Sequence, residues 1–318
     1  MLKFINIVTL LILYMSSFAQ HNSFLINQVH MGPNYNNQIF FSIQNDSIVS
    51  ENLETDWEIA FECSDTGSHV ILNSSIVCSA YNTNSIDFEN VNSLTGISTS
   101  EWKYDSPNGN LDSTALNDYN SGNVFIINMG TDVSGGGISR GYKKVLISKL
   151  SSQQYEIRHA NIDGSMDTSV VVSKNQDFNF LAYSLNNNNI VDVFPEKNSW
   201  DLMFTAYTHM FSEYTPPLPY RVSGVLINRN NTLVAEDTTY NFNEINFDLV
   251  QNSSTLEYVS DIDVIGYDWK PYNGTFTIKE NLNYVIKTNS GLYFKLRFVD
   301  FYNDNGVKGS PKFEFQKL

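Results

Sequence analysis

The sequence predicts an all-β protein built from two tandem, related antiparallel β modules. Three observations carry this expectation. Apolar residues alternate with polar ones in short runs and do not recur at helical spacing. Turn-forming clusters separate those runs, in a chain with 40 asparagines among 318 residues. Two pairs of segments also recur at almost the same offset, 143 residues for one pair and 139 for the other.

The N-terminus has the order of a secretory signal peptide. Lys3 supplies a charge and Phe4 to Met15 form an apolar run. Ser17 and Ala19 then place small residues before a cleavage point at Gln20. The run is too short to span a bilayer, and no other segment is apolar enough to do so. No Cys follows it, so a lipid anchor is not expected, and the protein is expected to be exported to the periplasm, the surface or beyond. The expected organisation is a signal peptide over 1–19, an N-terminal module over 20–175 and a C-terminal module over 176–318.

The strands follow from period-2 patterning. Leu292, Phe294, Leu296 and Phe298 fall on one face of a segment, and Tyr293, Lys295, Arg297 and Val299 on the other. Phe313 and Phe315 alternate with Lys312, Glu314 and Gln316 in the last strand, and Val225-Leu226-Ile227 and Tyr284-Val285-Ile286 are further apolar runs. Turns are expected at Asn108-Gly109-Asn110, Asp163-Gly164-Ser165, Asn289-Ser290-Gly291 and Asn303-Asp304-Asn305-Gly306. The duplication rests on Asp56-Trp57-Glu58-Ile59 echoing Ser199-Trp200-Asp201-Leu202. It rests equally on Tyr155-Glu156-Ile157-Arg158 echoing Phe294-Lys295-Leu296-Arg297.

Composition limits function. A net charge of −15 argues against nucleic acid and anionic lipid as partners. Two cysteines, Cys63 and Cys78, are too few for a disulfide scaffold or a Cys-based zinc site. Export permits a Cys63–Cys78 bridge in what reads as a hairpin, with two free buried thiols as the other option. There is no Gly-x-Ser-x-Gly, no His-Glu-x-x-His, and no helix pattern after Gly135-Gly136-Gly137 to cradle phosphate. The chain therefore reads as non-catalytic. Asp261, Asp263 and Asp268 could hold Ca²⁺, but a solvated strand face is the expectation.

The C-terminal module resembles the HmuY family of Bacteroidetes haem-binding proteins. The resemblance lies in Ser199-Trp200-Asp201-Leu202, in the closing strand pair Tyr284 to Tyr302 with its Lys295-Leu296-Arg297, and in the finish Lys308-Gly309-Ser310-Pro311-Lys312-Phe313-Glu314-Phe315. The N-terminal module looks like a degenerate copy. The resemblance implies an exported all-β protein of haem or tetrapyrrole acquisition, holding haem iron through His or Met and passing it to an outer-membrane receptor. Where such a ligand would be sought, ahead of the closing strands, this chain has Trp269-Lys270-Pro271-Tyr272 and no His.

Of the five histidines, His209 is the candidate ligand, with Met210 and Met203 beside it. They follow Trp200 and precede a rigid loop, Tyr214-Thr215-Pro216-Pro217-Leu218-Pro219-Tyr220. Adjacent residues on a strand face opposite ways, so His209 and Met210 cannot share one iron if the strand is regular. Met203 and His209 share a face but stand ~20 Å apart at ~3.3 Å per residue. His21 adjoins the mature terminus, His69 is expected in an exposed turn, and His159 is expected as a satisfied, partly buried core residue. The alternative to haem capture is a surface or matrix module that binds a protein or glycan through Tyr and Trp.

Overall fold

The computed structural model describes residues 24–318, so the expected signal peptide and His21 lie outside the described residues. The chain runs through β1 (Leu25–Gln28), the hairpin β2 (Asn37–Ser42) and β3 (Ser47–Leu53), then β4 (Ile59–Glu62), β5 (Val70–Leu72) and β6 (Ser79–Asn82). After a long irregular segment come β7 (Phe125–Asn128), the ribbon β8 (Thr131–Asp132) and β9 (Ile138–Ser139), and then β10 (Tyr142–Lys149), β11 (Gln154–Asn161) and β12 (Thr168–Ser173). A second hairpin, β13 (Phe180–Ser184) and β14 (Asn189–Val191), leads to the long pair β15 (Leu202–Phe211) and β16 (Leu218–Ile227). β17 (Leu233–Asp237), the short helix α1 (Phe247–Asn252), β18 (Asn283–Lys287), β19 (Tyr293–Tyr302) and β20 (Lys308–Lys317) complete the chain.

All strand pairings are antiparallel. Two five-stranded sheets have the orders β1-β20-β19-β18-β17 and β12-β11-β10-β7-β6. Two four-stranded sheets have the orders β16-β15-β2-β3 and β14-β13-β4-β5. Each four-stranded sheet takes strands from both sides of residue 175.

The two four-stranded sheets make the same contacts. Leu202 pairs with Phe41, and Ile59 pairs with Tyr183. The buried Asp201 carboxylate accepts the Ile43 amide at 2.9 Å, and the buried Glu58 carboxylate accepts the Leu185 amide at 2.7 Å. Asn228 donates its carboxamide to the carbonyls of Lys197 and Trp200, as Asn73 does to those of Glu54 and Trp57. Each hairpin turn holds a residue at positive φ, Asp46 and Asn188. Buried amides need acceptors, and a carboxylate is a strong one. The acidic residue after each Trp therefore ties a hairpin to the strand beside it.

The alternating faces predicted for β19 and β20 are present, with Phe294, Leu296, Phe298, Phe313 and Phe315 buried. Lys295, on the opposite face of β19, is buried as well. Its ammonium donates to the carbonyls of Phe242 and Ile245 at 2.7 and 2.8 Å, because the segment after β17 covers that face. The strands do not fill the chain evenly. Residues 83–124 are mostly irregular, held by local side-chain to backbone bonds such as Asn82 Oδ1 to the Asn84 amide and Asp105 Oδ1 to the Ala115 amide. The helix α1 was not anticipated; Asn246 caps it by accepting the Leu249 amide.

Of the two options for Cys63 and Cys78, the structure holds both as free, buried thiols. They do not share a hairpin. Cys63 closes β4, with its amide on Asn179 O, whereas Cys78 precedes β6 in a different sheet, with its amide on Asn73 O. Burial raises both thiol pKa values.

Candidate functional site

The end of the β15–β16 hairpin separates two grooves. β15 is extended throughout, so its successive side chains alternate between them. Segment 262–276 runs past the open edge of β16, where Val225 and Gly266 exchange backbone bonds at 2.9 and 3.0 Å. Gly224 permits this approach. A Cβ there would lie 2.3 Å from Gly266 O, so a side chain would lift the segment off the sheet.

The segment thus held, Tyr267 to Phe276, forms one wall of an open groove of about 790 Å³. Phe211 and Tyr220 to Ser223 lie along the hairpin side, and Tyr35, Tyr302 and Lys308 also line it. The lining is aromatic and cationic. The rings of Tyr272 and Phe276 stand 4.9 Å apart, and Phe276 packs edge-on against Phe301. Tyr302 fixes the segment by accepting the Phe276 amide at 2.8 Å through its hydroxyl. Below, Trp269 stacks on Phe298 at 3.8 Å and is 1% exposed.

Four cations line this groove, Arg221, Lys270, Lys279 and Lys308, against one carboxylate, Asp268. Arg221 is engaged structurally. It pairs with Glu54 at 2.7 Å and donates to the carbonyls of Ser75, Asn34 and Tyr35. Burial pushes Glu54 up to about 7 despite this partner. Lys279 reaches Asp268 at 3.2 Å, and the Lys308 ammonium lies 5.0 Å from the centre of the Tyr35 ring. Lys270 is buried, and burial pushes its ammonium down to about 7.

The three sequence-predicted ligands do not converge. His209 lies against the rings of Phe211 and Tyr267, 4.9 and 5.1 Å away, at the margin of the cationic groove. Its Nδ1 is buried with no hydrogen-bond partner. Met210 projects to the opposite face. It lines the second groove, about 750 Å³, with Trp102, Tyr104, Tyr214 and the Pro216–Pro219 stretch. Met203 lies deeper, in a cavity of about 90 Å³ between Trp57, Trp200 and Phe194. No group of three His, Cys, Asp or Glu suited to a metal occurs among the described residues.

The other described histidines are accounted for locally. His159 is fully buried and bonded to Tyr183 Oη at 2.9 Å, and burial lowers its pKa to about 4. His69 is not in a free turn but bonded to Glu62 at 2.6 Å. His30 reaches Ser310 Oγ at 3.0 Å. The groove's aromatic and cationic residues were not singled out from the sequence, since they come from four separated stretches. The one available signal is Trp269-Lys270-Pro271-Tyr272, the segment ahead of the closing strands.

Residues 34–315 match the HmuY family, described as HmuY protein. Among solved structures, apo PinO from Porphyromonas gingivitis is similar at 9% identity, covering 93% of this chain and 98% of that one, with a TM-score of 0.34. The apo HmuY analog TFO from Tannerella forsythia is similar at 9% identity, covering 93% and 97%, with a TM-score of 0.25. No curated protein matches the chain.

Proposed function

This chain belongs to the HmuY family, and from that premise we propose that it is an exported, non-catalytic protein that captures haem or a related tetrapyrrole. The ligand's place is the groove between the β15–β16 hairpin and the Tyr267–Phe276 segment. The observation that carries this is the groove's composition. Seven of its lining residues are aromatic, and its charged residues are four cations to one carboxylate in a chain of net charge −15. Aromatic faces stack on a flat macrocycle. Ammonium and guanidinium groups pair with the carboxylates at its edge. A volume of about 790 Å³ lies in the range of cofactor clefts.

His209 is the proposed axial ligand, because it borders this groove through Phe211 and Tyr267 and its Nδ1 has no protein partner. Met210 faces away from this groove and Met203 lies in the interior, so neither is assigned to the same iron. Handover to an outer-membrane receptor belongs to the same proposal. No helix among the described residues is long and apolar enough to cross a membrane.

The test is a haem titration of the mature protein, followed at the Soret band, beside His209→Ala. A saturable, shifted band that the variant weakens supports both site and ligand. Saturable binding unchanged in the variant keeps haem and removes His209. Binding no stronger than that of an unrelated acidic protein removes the haem reading and leaves a protein or glycan partner.

A further inference from the structure

We infer that Lys270 anchors an acid group of the bound ligand, so that the groove selects tetrapyrroles with free carboxylates over their esters. This rests on the tetrapyrrole reading and adds to it the chemistry by which the ligand is chosen.

Lys270 is 4% exposed. Its Nζ donates to the carbonyls of Ser223 and Tyr267. The rings of Trp269, Phe276 and Phe301 surround it, with centroids 4.9, 5.4 and 4.8 Å away. An ammonium has three N–H donors, and the two carbonyls take two of them. The acid whose charge acts on it, Asp268, is an exposed side chain paired with Lys279. Lys270 is therefore a buried cation without a carboxylate partner. Such a charge is costly to keep unless something completes it.

Two other lysines, Lys144 and Lys295, are also buried with Nζ on backbone carbonyls. Carbonyl bonding alone thus serves structure in this fold. Lys270 differs because it lines the large groove, alongside Arg221, Lys279 and Lys308. Arg221 has Glu54 and Lys279 has Asp268, which leaves Lys270 and Lys308 to meet an incoming anion. A carboxylate placed on Lys270 supplies the missing counter-charge and accepts the third N–H. An esterified acid supplies no charge and a weaker acceptor.

The experiment compares haem with haem dimethyl ester, titrated at pH 6.5 into the wild-type protein and into Lys270→Met, with the melting temperature of each unliganded protein recorded. The expected result is a wild-type preference for the free acid of tenfold or more, lost in Lys270→Met, whose unliganded form melts no lower than wild type. Equal binding of acid and ester by the wild type overturns the inference and leaves the tetrapyrrole reading standing. So does an acid preference that persists in the variant. Binding of neither compound by the wild type removes the reading and this inference together. Should Lys270→Met fail to fold, Lys270→Gln keeps donors for both carbonyls without the charge, and retained acid preference in it overturns the inference equally.

Discussion

Replacing Lys270 with Met stabilises the unliganded protein in mild acid and changes it little in mild alkali. The cause is the burial that pushes the ammonium from 10.5 down to about 7. A lysine with a lowered folded pKa binds fewer protons folded than unfolded at pH values between the two. Its cost is therefore full below about pH 7 and is shed as pH rises toward 10.5. Linkage at 1.36 kcal/mol per pKa unit gives a cost of about 5 kcal/mol at pH 6 and about 2 kcal/mol at pH 9. The variant loses two hydrogen bonds, to the carbonyls of Ser223 and Tyr267, together worth about 2 kcal/mol. The net expectation is a gain of about 3 kcal/mol at pH 6 and about none at pH 9. Glu54 and Asp105, whose carboxyls burial raises to about 7 and about 6, lose stability as pH rises, in both proteins. Subtracting wild type from variant cancels them. The assay is denaturant unfolding of both proteins at pH 6 and pH 9. A difference that is the same at the two pH values, or a variant less stable at pH 6, refutes the reasoning.

Other outcomes follow from the same structure. Trp269→Ala removes a ring stacked on Phe298 and should cost about 3–5 kcal/mol in denaturant unfolding, with the groove wall lost along with it. In a haem titration, Met210→Ala should leave affinity within about twofold of wild type, whereas Tyr267→Ala, which removes an aromatic ring that lines the groove, should weaken it by about tenfold. Cys63 and Cys78 should react with a thiol reagent only once denaturant opens the core, and a reductant should leave the melting temperature unchanged; rapid labelling of the native protein would contradict their burial.

Strand alternation made much of the fold legible. The buried faces of β19 and β20 follow from period 2, and the turns from Asn and Gly. The repeated Trp-acid pairs were visible as well, and in the structure Glu58 and Asp201 each bind the amide of a hairpin from the other side of residue 175. The pairing of β2 with β15 and of β4 with β13 was not legible, because a strand's pattern says which face is buried and not which distant strand it joins. The burial of Lys295 is not legible for a related reason, since the cover over its face comes from residues 242–245, fifty positions away in sequence. The candidate ligands were found by residue type alone. Alternation on β15 then sent Met210 and His209 to different grooves. The aromatic and lysine lining stayed hidden because only the fold gathers Tyr35, Tyr220, Lys270 and Lys308 into one place.

The most direct test is the structure of the mature protein in complex with haem. The expected result is a macrocycle in the groove between the β15–β16 hairpin and the Tyr267–Phe276 segment, with His209 toward the iron and a carboxylate on Lys270. Haem seated instead among Trp102, Tyr104, Tyr214 and Met210, or no complex at saturating haem, would contradict it.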